Sequence, residues 1–274
     1  MMSNRLPTRF GLSLTLATLV LLFVSLVPMS AAAQTPDPDE IDASPELKPN
    51  LVEADSLRRA GAFREAFGLL TSLKQEHPSN AEVLYRLALT RVDMGEIADS
   101  GQRRQSMYKS ALEDAKAAVE ADTALAFAHL SRAIAEGRVA LTAGTKEKIQ
   151  RSRAVKRHAD QAIELDPDMA SAYHVRARWN REVADLGFFS RAIVKTVYGG
   201  LPEASFEQSV RDFKTAIQKE DKIVHHIELA RTYMKMDRED AAKEELQTVL
   251  AMENEDPDDP QHKKEAEELL NDLS

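Results

Sequence analysis

The sequence contains no cysteine among its 274 residues. Disulfide bonds, thiolate metal sites and lipid attachment to a cysteine behind a leader are therefore excluded. The sequence also lacks a Gly-x-Ser-x-Gly motif and a phosphate-binding glycine loop. Its carboxylates are scattered, and their spacing does not indicate a catalytic pair. Nothing in it supports a catalytic or cofactor site, so we expect a protein that is not an enzyme and that uses no cofactor.

Acidic residues also outnumber basic ones. The chain has 36 Lys and Arg against 45 Asp and Glu, a net charge of −9. A surface this acidic repels nucleic acid unless it carries a concentrated basic face, so we expect no nucleic-acid partner. Between residues 47 and 274 the apolar residues do not alternate with a period of two, and their helical spacing predicts an all-α domain.

Residues 1–33 are typical of a cleaved secretory signal peptide. Arg5 and Arg9 precede a charge-free run at residues 10–27, and the segment ends in Ala31-Ala32-Ala33, small residues that suit a signal peptidase. The alternative is an uncleaved inner-membrane anchor, because the 18-residue run approaches the length of a membrane span. We favour cleavage, and with it a periplasmic or secreted protein.

Residues 34–46 carry three prolines and several acidic residues without apolar periodicity. This composition predicts a disordered acidic linker. Residues 47–274 then form the predicted repeat domain, and residues 258–273 read as a solvated helix that caps its C-terminal end.

The most informative pattern is a helical-hairpin ending, Ala162-Ile163-Glu164-Leu165-Asp166-Pro167 followed by Ala170-Ser171-Ala172-Tyr173. A helix that stops at a proline and restarts about 34 residues after the previous copy is typical of a tetratricopeptide repeat. The first copy has its small residues at Ala54 and Ala66 and its turn at Gly61.

Later copies depart from the standard repeat length. The join after Gly95 is long, another lies around Gly144, and the longest insertion separates Ala184 from Ser209. The predicted architecture is an all-α, tetratricopeptide-like solenoid of about a dozen helices with lengthened hairpins. Asn80 and Asp258 are predicted to start their helices.

Residues 145–273 resemble the regulator of microtubule dynamics family, tetratricopeptide-like proteins of animals with bacterial relatives. The resemblance implies a binding role without catalysis, but no microtubule partner for an exported chain. It lies in the longest insertion and its flanks, at Arg178-Trp179, Glu182-Val183-Ala184, Phe189, Arg191, Ala192, Tyr198-Gly199, Pro202 and Ala204-Ser205-Phe206-Glu207.

The first helix of each hairpin lines the concave surface of such an array, which predicts a partner-binding groove. Two interpretations of its arginines stay open. They bind carboxylates of an extended peptide or acidic chain terminus, or they pair internally with Glu182, Asp185 or Glu228, which we favour. The predicted groove residues are Tyr85, Leu89, Leu130, Ile134, His174, Arg178, Arg181, Arg231 and Met234.

A basic patch is predicted on the helix at residues 146–157. It would contact anionic lipid headgroups or phosphate, or it is simply a solvated outer face, which we favour. Its members are Lys146, Lys148, Arg151, Arg153, Lys156 and Arg157.

The insertion at residues 186–201 contains an amphipathic stretch with Phe188, Phe189, Ile193 and Val197. This stretch either covers the lengthened hairpin, with Trp179 packed beneath it, or forms a partner-binding or membrane-dipping flap. We favour the cover. His225 and His226 are adjacent and lack a third ligand, so we expect no metal site there.

These observations favour a protein-interaction scaffold of the bacterial cell envelope, whose partner is a protein or peptide. One alternative is an anionic lipid or envelope-polymer binder that uses residues 146–157 and 186–201, with peripheral membrane contact. Another is the accessory domain of an enzyme complex.

Overall fold

The computed structural model describes Pro36, Ile41 and residues 43–273. The predicted signal peptide at residues 1–33 lies outside the described residues, as does part of the predicted linker. Within the described part no helix combines the length and apolar character that a membrane span requires. The helices are α1 (Lys48–Arg59), α2 (Phe63–Glu76), α3 (Ala81–Glu96), α4 (Gly101–Ala121), α5 (Ala126–Thr142), α6 (Thr145–Leu165), α7 (Ala170–Ala184), α8 (Phe188–Tyr198), α9 (Phe206–Lys219), α10 (Ile223–Lys235), α11 (Glu239–Ala251) and α12 (Asp259–Asp272).

The helices stack as successive hairpins. The pairs are α1 with α2, α3 with α4, α5 with α6, α7 with α9 and α10 with α11, and α12 packs on the last pair. The first helices α1, α3, α5, α7, α10 and α12 contact one another in order, and each second helix packs between two first helices. The first helices therefore form the inner side of the array. The predicted all-α solenoid is confirmed.

Short sequence signals begin and end these helices. The Asn80 side chain accepts a hydrogen bond from the backbone N–H of Val83 at 3.0 Å, which caps the start of α3 as predicted. Ser205 caps α9 in the same way through Gln208. Gly61 lies in the turn between α1 and α2 with φ of +73°, a left-handed conformation that favours glycine.

The lengthened hairpins come from longer helices and one extra helix. Both α4 and α6 have 21 residues, against 14 in α2 and 13 in α11. The longest insertion adds the 11-residue helix α8, which ends at Gly199 in a left-handed conformation with φ of 78°.

Alanine occupies the close contacts between helices. Ala88, Ala115, Ala159 and Ala177 are fully buried, because a methyl group lets two helix backbones approach closely. Ile41, from the predicted linker, is only 4% exposed and packs in the apolar cluster that contains Leu51. The described part of that segment is therefore attached to the first hairpin.

We predict that Gly95→Ala destabilises the protein by about 2 kcal/mol, although alanine is the better helix former by about 1 kcal/mol. A Cβ atom at position 95 would collide with the Tyr108 ring, whose Cδ1 would lie only 2.8 Å away, and Tyr108 is itself buried. The measurement is urea unfolding followed by circular dichroism.

The matched control is Gly68→Ala on the exposed side of α2, where a Cβ atom meets nothing within 4 Å. It should raise the free energy of unfolding by about 0.5–1 kcal/mol. Equal stability changes in the two variants would show that α3 and α4 do not approach closely at Gly95.

Candidate functional site

Buried ion pairs join successive first helices along the inner side. Arg58 of α1 contacts Asp93 of α3 at 2.5 Å, and Arg86 of α3 contacts Asp55 of α1 at 2.8 Å. In the next step Arg138 of α5 contacts Glu96 of α3 at 2.9 Å. Buried ion pairs thus link neighbouring first helices.

Glu228 of α10 is the centre of the largest such group. It contacts Arg181 at 2.6 Å and Arg178 at 3.8 Å, both from α7, and also Arg231 of its own helix. Burial alone would raise the pKa of Glu228, but the three guanidinium groups outweigh it and hold the pKa well below its usual value. Arg231 also contacts Glu265 of α12. The internal pairing that we favoured from the sequence is therefore present, with Glu228 as the main acceptor.

The structure places most of the nine predicted groove residues inside the protein. Tyr85 and Leu89 are 1% exposed and Leu130 is fully buried. The reason is that an interior first helix packs against four neighbouring helices, so little of its surface stays free. Tyr85, for example, stacks on Phe127 of α5 with ring centroids 5.4 Å apart. The other buried members are Ile134, His174 and Arg181, whereas Arg178, Arg231 and Met234 are partly exposed.

Between α5, α6 and α7 the inner side opens into a cavity of about 130 Å³. Two of the predicted groove residues, Ile134 and Arg178, line it. Its walls are otherwise mainly apolar, with charged groups among them. The lining includes Ala133, Ile134, Gly137, Arg138 and Leu141 of α5, Lys148, Ser152 and Val155 of α6, and Val175, Arg178, Trp179 and Glu182 of α7.

The charge of this cavity lining is positive. The lining carries three cations, Arg138, Lys148 and Arg178, and one carboxylate, that of Glu182. Arg138 also contacts Glu96, and Arg178 also contacts Glu228, outside the lining. Burial lowers the pKa of Lys148, and it also lowers the pKa of Arg178, which Glu228 only partly offsets. Nη1 of Arg178 is buried and has no hydrogen-bond acceptor among the described residues. An incoming anion would therefore relieve an existing electrostatic cost.

Trp179 is fixed against α6. Its Nε1 donates to the backbone oxygen of Ser152 at 2.8 Å, with the Ser152 hydroxyl at 3.0 Å, and the Lys156 ammonium lies 5.7 Å from the ring centroid. The indole therefore forms a rigid wall of the cavity. The sequence predicted its burial beneath the insertion, and the contacts that hold it come from α6.

The six predicted patch cations are distributed around α6 because successive residues of a helix point about 100° apart. Lys146 and Arg157 are exposed, and Lys148 lines the cavity. Arg151 contacts Glu136 at 2.7 Å and Lys156 contacts Asp160 at 2.5 Å. The structure therefore does not gather the six cations on one solvent-facing surface.

Arg153, the remaining patch residue, holds the end of α8. Its Nε donates to the backbone oxygen of Gly200 at 3.0 Å, and Nη2 also donates to the backbone oxygen of Tyr198. In α8, Val194 is buried and Val197 is 63% exposed. The side chains of Phe188, Phe189 and Ile193 lie outside the described residues, so the choice between a cover and a flap stays a prediction.

Buried histidines meet in pairs, which the sequence did not suggest. The Nδ1 atoms of His129 in α5 and His158 in α6 are 3.0 Å apart. The Nδ1 atoms of His174 in α7 and His225 in α10 are 2.8 Å apart. One nitrogen of each pair must accept, so the pairs require a neutral ring. Burial lowers the pKa of His158 to about 4 and that of His225 to about 3.

His226, next to His225 in sequence, has different partners. Its ring nitrogens lie 2.7 Å from an Asp221 oxygen and 2.6 Å from a Glu245 oxygen. Within the described residues, no three His, Cys, Asp or Glu side chains come together in a way that could hold a metal ion.

Sequence reasoning missed most of the cavity. Ile134, Arg138 and Leu141 lie on one face of α5 at helical spacing, a signal that could have grouped them. Lys148 lines the cavity and is not part of a surface patch. The sequence does not show this, because the angle between α6 and α7 cannot be read from the spacing of residues.

The stacked hairpins define a tetratricopeptide-type helical solenoid. The crystal structure of TTC0263, a thermophilic TPR protein in Thermus thermophilus, is similar in fold, with a TM-score of 0.60 and 20% identity. The similarity covers 81% of this chain and 98% of that one.

The sequence model of the family described as regulator of microtubule dynamics protein 1-3 matches residues 50–274, and this chain belongs to that family. The match is longer than the segment at residues 145–273 on which the resemblance was based. Regulator of microtubule dynamics protein 1 of Bos taurus is 29% identical over 232 residues, which cover 84% of this chain and 73% of that protein. Protein 3 of Bos taurus is 28% identical over 245 residues, 85% of this chain and 51% of that protein.

We predict that Glu228→Gln lowers the free energy of unfolding by about 3–5 kcal/mol, because it leaves the buried Arg181 and the partly buried Arg178 and Arg231 without their shared carboxylate. The matched control is Glu265→Gln, which removes a more exposed partner of Arg231 and should cost about 0–1 kcal/mol. Urea unfolding at neutral pH measures both. Similar small losses would mean that Glu228 does not organise the arginines.

We predict that His158 makes stability fall with acidification. Its pKa of about 4 in the folded protein lies below the usual value near 6.5. The unfolded chain therefore binds a proton first, and stability is lost as pH falls from about 6.5 to about 4. The stability advantage of the wild type over His158→Asn should shrink by about 1 kcal/mol per pH unit in this range.

Urea unfolding between neutral pH and the lower end of this range measures the effect. His129, Arg132 and Arg157 are the charged or titratable groups that act on His158. The control is His77→Asn, at an exposed position after α2. A constant difference between the wild type and His158→Asn at all pH values would contradict the assignment.

Proposed function

We propose that this protein is a non-enzymatic interaction scaffold that holds a partner polypeptide against the inner side of its solenoid, around the cavity between α5, α6 and α7. Membership in a family of helical-repeat proteins supports a scaffold role. The single observation on which the location depends is the largely apolar cavity between these helices, whose lining carries three cations and one carboxylate.

The cavity rim offers the kinds of group that protein partners use. Leu141, Lys148, Arg178 and Glu182 are partly exposed and come from three helices. An apolar depression with arginine at its edge suits an anchoring side chain of a partner, because buried apolar and arginine contacts contribute most of the energy at interfaces.

We further propose that the scaffold acts in the bacterial cell envelope. The support is the leader-like sequence at residues 1–33, which combines early arginines, an apolar run and small residues before the expected cleavage point.

We predict that a photo-crosslinking amino acid at the cavity rim captures a partner in living cells of the native organism. The inner positions are Leu141 and Glu182, on two different first helices. Both should capture the same protein, identified by mass spectrometry, because a partner seated over the cavity lies within reach of both helices.

The matched controls are Glu113 of α4 and Glu164 of α6, which are exposed positions on second helices. They should not capture that partner. If the outer positions capture it as efficiently as the inner ones, the inner side is not the binding surface and the proposal fails.

A further inference from the structure

The size of the cavity limits what it can hold. Its volume is about 130 Å³, close to the roughly 150 Å³ of an engineered apolar cavity that binds benzene. Ala133, Val155 and Val175 form part of its walls and are buried. The space therefore suits one aromatic ring or one branched aliphatic group, and it is too small for a long acyl chain.

The polar groups around this space limit the ligand further. Lys148 and Arg178 come from different helices, α6 and α7, and both line the cavity. Arg178 shares the carboxylate of Glu228 with Arg181 and Arg231, which also contact Glu182 and Glu265 respectively. Nη1 of Arg178 is buried and has no hydrogen-bond acceptor among the described residues. A carboxylate accepts hydrogen bonds from an ammonium and a guanidinium group together, and such charged hydrogen bonds are strong.

We propose that the cavity binds a carboxylate that carries one apolar group of about the size of a benzene ring. The apolar group occupies the space between the three helices, and Lys148 and Arg178 hold the carboxylate at the mouth. A free organic acid and the C-terminal residue of a polypeptide share this chemistry. The inference does not depend on the scaffold role, because a free acid alone can test it.

Trp179 provides a direct measurement. It is the only tryptophan of the chain and lines the cavity, so its fluorescence reports on an occupant. The free-acid arm is a titration with 3-phenylpropionate, and the peptide arm uses N-acetyl-Gly-Gly-Phe with a free carboxyl terminus. Each arm includes the corresponding amide, which keeps the ring and removes the charge.

We expect a saturable fluorescence change with a dissociation constant on the order of 1 mM for a ligand of this size. The amides should bind at least about tenfold more weakly, because they lose the charged hydrogen bonds. Binding in one arm only identifies that source of the carboxylate. Equal binding of acid and amide, or no change in Trp179 fluorescence with any probe, would overturn the proposal.

Two variants test the contribution of the charge and that of the apolar space separately. Lys148→Met keeps the length of the side chain, removes the cation and should weaken acid binding about tenfold. Its matched control is Lys146→Met, an exposed position on the same helix that does not line the cavity. Val175→Phe fills the space, keeps the cations and should abolish binding in both arms. Equal binding by Lys148→Met and Lys146→Met would also overturn the proposal.

This result is distinguishable from that of the crosslinking experiment. A partner captured at Leu141 and Glu182 together with no acid binding would leave the scaffold role standing and reject the ligand chemistry. Acid binding without a captured partner would support the ligand chemistry and reject the scaffold role.

Discussion

Each hairpin can bury its apolar face only against its neighbours, and small side chains at the helix contacts make that burial possible. Fully buried alanines such as Ala88, Ala115 and Ala177 bring the backbones close together. A methyl group contributes little apolar area, however, so alanine contacts alone give modest stabilisation per helix pair. The first helices are correspondingly joined by buried ion pairs as well. Close packing and charge pairing together thus maintain the order of the hairpins.

The ion pairs contribute more to register than to net stability. Arg58 pairs with Asp93 while Asp55 pairs with Arg86, so α1 and α3 each supply one acid and one base to the other. A slip by one turn would break both pairs and separate these buried charges from their partners in the neighbouring helix, although Arg86 would keep its contact with Glu82 in α3. Replacing a whole buried pair by apolar residues is often neutral, but removing one partner is costly. The pairs therefore penalise wrong alignments of hairpins whose alanine-rich faces resemble one another.

Short residue patterns that begin helices or form turns were sufficient to predict the architecture. Asn80 begins its helix and Gly61 makes its turn, as expected from local chemistry, and the amphipathic stretch of the long insertion forms the helix α8. The groove was not predictable in the same way. Whether Tyr85 faces the inner surface or the next first helix depends on the rotation between hairpins, which long-range packing sets. For the same reason spacing alone could not place Lys148 and Arg178 in the lining of one cavity.

Helix α6 connects the cavity to the insertion. Lys148, Ser152 and Val155 line the cavity, whereas Arg153, between them in sequence, holds the carbonyl groups at the end of α8. Opposite sides of one helix thus contact the cavity and the insertion, and a helix moves largely as a rigid body. Any occupant that separates α6 from α7 would therefore move Arg153 together with the carbonyl groups that it holds. Since α8 packs on the rest of the described structure mainly through α6, its position depends on the same contact.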